Sequence, residues 1–502
     1  MSGGRPFRVA IIGAGFGGIA TAVKLQQRTD AEFVIFEKAD GLGGTWFENR
    51  YPGCEVDIPS HAYSFSFWKY DWPRTHATQP ELLAYANQVV DRFGLRPHIR
   101  LSTTVEEVRW LDDVRRYRVR TNGAGGGTEE EFDAVVSAVG LLSVPRYPDW
   151  EGLEDYAGVR FHTSRWEHEH DLAGKRVAVV GTGSTAAQVV PALAPVVGEL
   201  TVFQREPGWI EPKSEREFTP RERWIYRHVP FAQRLHRLQI FSVAARRFKA
   251  NDVRSRRQLA MRRLCEDFIA RTVTDPVTRA ALTPDYPWGC KRPVVASTYY
   301  PAFNRPNVHL VPKAVTRATR TGLVDVEGVE REFDVIVMST GFQPTRFLAG
   351  LEVVGRAGLR LHDVWKERAS AYLGVTVPGF PNFFVLYGPN TNGGTSIIAQ
   401  LERQAEVAVA SIRRLERARD AVVDTDPEAV RWYVRWIDRQ LETHANAMNA
   451  GCHNYFHAES GANVTQWPRT HFVYFFVTRL WRRRGLRLQR VGARAPEPVP
   501  VG

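Results

Sequence analysis

Two glycine-rich turns, each between an apolar strand and a helix-forming stretch, are the parts of this sequence best suited to chemistry. The first runs from Arg8-Val9-Ala10-Ile11-Ile12 into Gly13-Ala14-Gly15-Phe16-Gly17-Gly18. The second runs from Arg176-Val177-Ala178-Val179-Val180 into Gly181-Thr182-Gly183-Ser184-Thr185-Ala186. A turn of this kind opens a helix whose bare N–H groups and dipole hold a pyrophosphate. Ala186 in place of the last glycine still lets helix and strand pack closely. The residues that close the two units differ in charge. At the same distance beyond the first glycine stand Glu37 in one unit and Arg205 in the other. A carboxylate there accepts hydrogen bonds from ribose hydroxyls and suits FAD or NAD, whereas a guanidinium attracts a 2′-phosphate and suits NADPH. Two such sites with opposite closing charges point to a flavoprotein that takes hydride from NADPH.

The elements that must position these turns follow from the pattern around them. The chain of 502 residues is long enough for two or three domains. Residues 1–144 read as the first part of an FAD-binding domain. Within it, Thr78-Gln79-Pro80-Glu81 has capping-box spacing ahead of a helix that ends near Phe93. A hairpin is expected around 122–127, followed by an apolar strand at 133–140. Residues 145–209 and 290–344 read as an NADPH-binding domain, interrupted by an Arg-rich helical insert at 210–289. Residues 345–502 return to the FAD-binding domain and end in a tail. There Gly388-Pro389-Asn390-Thr391-Asn392-Gly393-Gly394 leads into a long helix over 396–418, and the proline-rich stretch 495–502 is expected to be disordered. The fold class is therefore α/β, with two Rossmann-like dinucleotide-binding domains and a helical insert.

Hydrophobic content of 43% and charged content of 24% suit a globular protein with an aqueous surface. No apolar run is long enough to span a bilayer, and the first strand begins too early to leave room for a signal peptide. The four cysteines, Cys54, Cys265, Cys290 and Cys452, form no metal-binding spacing, so no metal is expected; reduced thiols in a cytoplasmic protein are the simplest reading. The net charge of +12 is concentrated at 216–271 and in Arg479-Leu480-Trp481-Arg482-Arg483-Arg484. Solvated helical faces and attraction of polyanionic cofactors explain most of it. The basic C-terminal tail is a candidate for weak membrane-surface contact, and no nucleic-acid partner is expected.

Longer motifs carry a resemblance. Gly43-Gly44-Thr45-Trp46, Tyr51-Pro52-Gly53 and Asp57 match the longer signature of the type I Baeyer–Villiger monooxygenases, within the flavin-containing monooxygenase class. Gly158, His162 and Trp166 match the shorter signature, with Tyr156 where the family prefers Phe and Glu167 where it prefers Pro or Asp. Lys291-Arg292 with Tyr299-Tyr300 resembles the segment that holds the family's active-site arginine. Tyr455-Phe456 stands where many members carry Trp-Tyr, and Leu141 replaces a polar residue found in some.

The resemblance implies an NADPH- and O2-dependent oxidation of a ketone to an ester or lactone, through a peroxide carried on the flavin. It implies Arg292 as the catalytic cation and Asp57 as the carboxylate that aims it. The FAD site is expected to comprise Gly13, Gly15, Phe16, Gly18, Glu37, Lys38, Gly44, Thr45, Trp46, Asp57, Tyr63 and Val105. The NADPH site is expected to comprise Gly181, Thr182, Gly183, Ser184, Thr185, Arg205, Lys291 and Arg292, with Arg205 and Lys291 on the 2′-phosphate. His162 is read as ordering a domain junction rather than as a base. The partners implied are a small ketone and O2, with the chain a monomer or dimer. One rival reading is oxygenation at nitrogen or sulfur; another is a flavin-carrying module that docks on membrane or nucleic acid through its basic helices.

Overall fold

A computed structural model describes residues 5–490 except 124, 448–451 and 453; the tail expected to be disordered at 495–502 lies outside the described residues. Strand β1 (Arg8–Ile12) leads through the first glycine turn into helix α1 (Phe16–Arg28) and then β2 (Glu32–Phe36). Further on come β3 (Ile99–Arg100) and β4 (Ala134–Ser137). The chain then leaves for a second sheet. Its strands are β5 (Val159–His162), β6 (Arg176–Val180) and β7 (Glu199–Phe203), with helix α2 (Ala186–Leu193) after β6. Four helices follow: α3 (Pro220–His228), α4 (Ala232–Arg247), α5 (Arg256–Thr272) and α6 (Pro276–Leu282). Strands β8 (Val308–Val311) and β9 (Val335–Met338) complete the second sheet. The chain returns to the first sheet as β10 (Phe383–Val385), followed by the long helix α7 (Ile397–Arg417) and by α8 (His471–Leu480).

Both sheets are five-stranded and wholly parallel. The first has the order β10-β4-β1-β2-β3 and the second β8-β7-β6-β9-β5. Each glycine turn thus leaves the carboxyl end of a central strand, where open parallel sheets bind ligands. The central strands β1, β4, β6 and β9 are buried almost throughout, which is why they read as near-continuous Val/Ile/Ala runs rather than as alternating patterns. This is the α/β architecture, with two dinucleotide-binding folds, that the two motifs imply. The capping box at Thr78 forms and its helix spans Gln79–Arg92. The expected hairpin is made by Arg116–Gly123 and Thr128–Phe132. Among the described residues no helix is long and apolar enough to cross a membrane.

The cysteines require a correction. Cys290 and Cys452 form a disulfide with their Cα atoms 6.3 Å apart, while Cys54 and Cys265 are free and buried. Reading near-neighbour spacing could not find this pair, which is separated by 162 residues and joined only by folding.

Candidate active site

The turn at Gly13 has a positive φ of 104°, and a Cβ there would lie 2.7 Å from the Ala138 carbonyl oxygen. Gly181 repeats this with φ 122° and a Cβ that would lie 2.3 Å from the Ser339 carbonyl oxygen. Both positions therefore demand glycine. A cavity of about 580 Å³ opens at the first turn. Of the expected flavin residues, Gly13, Gly15, Phe16, Glu37, Lys38, Gly44, Thr45, Trp46, Asp57, Tyr63 and Val105 line it. Gly18 lies behind the turn, where any side chain would strike the Gly13 carbonyl oxygen, so it brings α1 close to β1. Glu37 sits just past β2; its carboxylate accepts from the backbone N–H groups of Ala14 at 2.7 Å and Ala39 at 2.9 Å. Those two bonds fix the carboxylate at the cavity wall and leave lone pairs for a ribose. This cradle fits a flavin dinucleotide: a glycine turn at a helix N-terminus, a carboxylate at the next strand end, and aromatic walls from Trp46 and Tyr63.

The second turn meets the same cavity. Ser184 and Gln188 line it, whereas Gly181, Thr182, Gly183 and Thr185 do not. A Cβ at Gly183 would meet nothing within 4 Å, so the backbone there is open to a ligand. Arg205 is exposed and has no ion pair among the described residues. Lys291 is ion-paired with Glu206 at 2.5 Å, next along the chain from Arg205. The open turn, with two cations nearby, fits a phosphorylated dinucleotide.

Arg292 brings a guanidinium to the cavity wall. Its Nη2 donates to Asp57 Oδ2 at 2.5 Å and its Nη1 reaches Ser184 Oγ at 3.5 Å. One guanidinium thus touches the first half's signature loop and the second half's glycine turn. The Asp57 charge holds Arg292 above the ordinary arginine range, against partial desolvation at the cavity wall. Three phenols stand near it: desolvation at the cavity wall pushes Tyr63 and Tyr387 above the ordinary tyrosine range, and Tyr455, though 43% exposed, shifts in the same direction. They therefore stay protonated around a permanent cation. The Arg292 segment is held by a short parallel pairing of Ile210–Glu211 with Val294–Val295, and by the disulfide at Cys290.

Sequence reasoning missed Gln188. Its Oε1 accepts from the Tyr51 hydroxyl at 2.9 Å, and its Nε2 donates to the Glu55 carbonyl at 2.9 Å. It keys the 51–57 loop to α2, and its one available signal is its place one helical turn after Ser184. Tyr387 was also missed; it directly precedes the expected turn before α7, and its hydroxyl donates to Oδ1 of Asn392 within that turn at 2.7 Å. Leu141 and Tyr455, noted only as departures from the family, both line the cavity. His162 does not line it. It is buried, bonded to Ser164 Oγ at 2.9 Å and the Gly341 carbonyl at 3.1 Å, and burial pushes it down to about 4. A neutral histidine so held orders the junction between β5 and β9. Ligand atoms of Glu167, Glu169 and His170 lie within 4.8 Å of one another, but these residues are absent from the cavity wall.

A pair of dinucleotide folds sharing one cavity with a fixed cation defines a class of flavoprotein, and residues 7–235 match the family model described as flavin-binding monooxygenase-like. A Baeyer–Villiger monooxygenase of Streptomyces coelicolor is 39% identical over 98% of this chain and 93% of its own length. One of Pseudomonas aeruginosa is 37% identical over 95% of this chain and 90% of its own length. The crystal structure of cyclohexanone monooxygenase from Rhodococcus sp. Phi1 bound to NADP+ superposes with a TM-score of 0.86 at 32% identity, covering 97% of this chain and 100% of that one. The chain belongs to the Baeyer–Villiger monooxygenases.

Proposed function

We propose that this chain uses FAD and NADPH to insert one atom of O2 beside the carbonyl of a ketone, giving an ester or lactone. Reduced by NADPH, the flavin supplies the activated oxygen. The rest is the work of the protein. Gly13, Gly15 and the N-terminus of α1 hold the FAD pyrophosphate, and Glu37 accepts from its ribose. Gly181, Gly183 and Ser184 take the NADPH pyrophosphate, with Arg205 and Lys291 on the 2′-phosphate. In this reading residues 1–144 and 345–502 bind FAD, 145–209 and 290–344 bind NADPH, and 210–289 form the insert.

Arg292 is the catalytic residue and Asp57 its positioning residue. A guanidinium cannot lose its proton at working pH, so it stabilises negative charge developing at the reacting oxygen. Asp57 fixes its direction. The neutral phenols of Tyr63, Tyr387 and Tyr455 offer donors without competing as anions, and with Trp46 they help exclude water. The observation that carries the reading is the Arg292–Asp57 pair on the wall of a cavity lined by residues of both glycine turns. The test is product analysis with a cyclic ketone and a thioether side by side. Lactone formed with NADPH consumption supports the reading; sulfoxide without lactone overturns it in favour of heteroatom oxygenation.

A further inference from the structure

The corner between α3 and α4 carries apolar side chains that no described residue covers. Trp224 is 59% exposed, Phe231 66%, Leu235 63% and Leu238 50%. Phe231, Leu235 and Leu238 recur at the spacing of one helical face. The opposite face of α4 is spent on the body of the protein: His236 packs on His61, and Arg237 donates to the His61 and Ser64 carbonyls. The helices are therefore docked, and the exposed stripe is what remains. Phe231 sits at the tip with φ 62°, a left-handed conformation that a bulky residue rarely adopts. A backbone held this way presents a phenyl ring to the outside at a cost that burial inside the protein does not offset.

The charges beside the stripe are unpaired. Arg221 and Arg234 are exposed and make no ion pair among the described residues; Arg234 lies over the Phe231 ring at 5.9 Å. Helix α8 packs beside α4 through Phe241 on His471, ring centroids 4.6 Å apart. On α8 itself Phe476 and Leu480 are exposed, ahead of an arginine run. Aromatic and aliphatic side chains on a protruding corner, edged by free arginines, are the composition of a segment that lies in a bilayer interface. A second copy of this chain fits poorly, because a two-fold contact would bring one arginine edge against the other in a molecule of net charge +12.

We propose that the α3–α4 corner docks this protein reversibly on an anionic lipid bilayer, with Trp224, Phe231, Leu235 and Leu238 entering the headgroup layer and Arg221 and Arg234 facing lipid phosphates. The docking is peripheral and independent of the reaction proposed above.

The test is flotation of full-length, FAD-loaded protein with two kinds of vesicle, phosphatidylcholine alone and phosphatidylcholine with an equal part of phosphatidylglycerol. Wild type should float with the anionic vesicles, less with the neutral ones, and less as salt is raised. The double variant Phe231→Gly/Leu235→Gln should partition about a hundredfold more weakly, since each of the two apolar side chains withdrawn from water contributes about tenfold. Glycine suits the left-handed backbone at 231, so the variant should keep its FAD and its NADPH oxidation rate in solution. A wild type that stays out of the anionic vesicle fraction at low salt overturns the proposal and leaves the corner to a protein partner. So does a double variant that floats as well as wild type. So does sedimentation that finds a wild-type dimer and a monomeric double variant, which would make the corner an interface between copies.

Discussion

Replacing Asp57 by Asn separates the charge of Arg292 from its aim. The substitution keeps the shape of the side chain but removes the carboxylate that accepts from Arg292 Nη2 at 2.5 Å. A hydrogen bond to a charged partner is worth about 1.5–3 kcal/mol. Arg292 is 43% exposed and its partner 16%, so solvent screening argues for the low end of that range. A loss of about 1.4 kcal/mol in the transition state is a tenfold fall in kcat. Because Asp57 acts through Arg292 rather than on the ketone, the ketone KM should change little. The assay is steady-state lactone formation beside FAD content, with Asp57→Ala as a second variant expected to fall further. Wild-type kcat in a FAD-replete Asp57→Asn protein would refute the positioning argument. So would a change confined to KM.

Arg205→Ala should raise the KM for NADPH about tenfold or more, the worth of one charge-assisted phosphate contact, while leaving NADH use nearly unchanged; equal effects on both coenzymes would contradict the assignment. Thiol titration of the denatured, unreduced protein should find two thiols, Cys54 and Cys265, and all four cysteines after reduction. Four before reduction would remove the Cys290–Cys452 bridge. Burial pushes His61 down to about 3, and His76, His162, His444 and His471 to about 4. The unfolded chain takes up protons at these histidines near pH 6.5 while the folded chain does not. Stability should therefore be full above about pH 6.5 and fall as pH drops toward 4, read as a declining Tm; a Tm that is flat across that window would contradict the burial argument.

What could be read from the sequence was local. The turns at Gly13 and Gly181, their strands and helices, and the closing Glu37 are set by residues within one βαβ unit, so periodicity and turn chemistry reveal them. The capping box at Thr78 and the hairpin after Arg116 were legible for the same reason. Arg292 and Asp57 stand 235 positions apart, and no spacing rule joins them; only the resemblance of their motifs did. Tyr387, Tyr455 and Gln188 reach the cavity from three separate segments, and the Cys290–Cys452 bridge also depends on folding. Exposure on α3 and α4 was hidden because an apolar stripe reads alike whether it faces a core or water; only the packed structure shows that His236 and Arg237 use the other face.

The central claim is that one fixed guanidinium in the shared cavity makes the ester-forming reaction possible. Its most direct test is lactone yield from a simple cyclic ketone with NADPH, compared between wild type and Arg292→Ala at matched FAD content, with Arg292→Lys alongside. Losing a fixed charge aimed at developing negative charge costs on the order of 3 kcal/mol or more. Lysine lacks the planar fork that a carboxylate can orient. Lactone from wild type, almost none from Arg292→Ala and no rescue by Arg292→Lys is the predicted result; wild-type lactone yield from a FAD-replete Arg292→Ala protein would contradict the account.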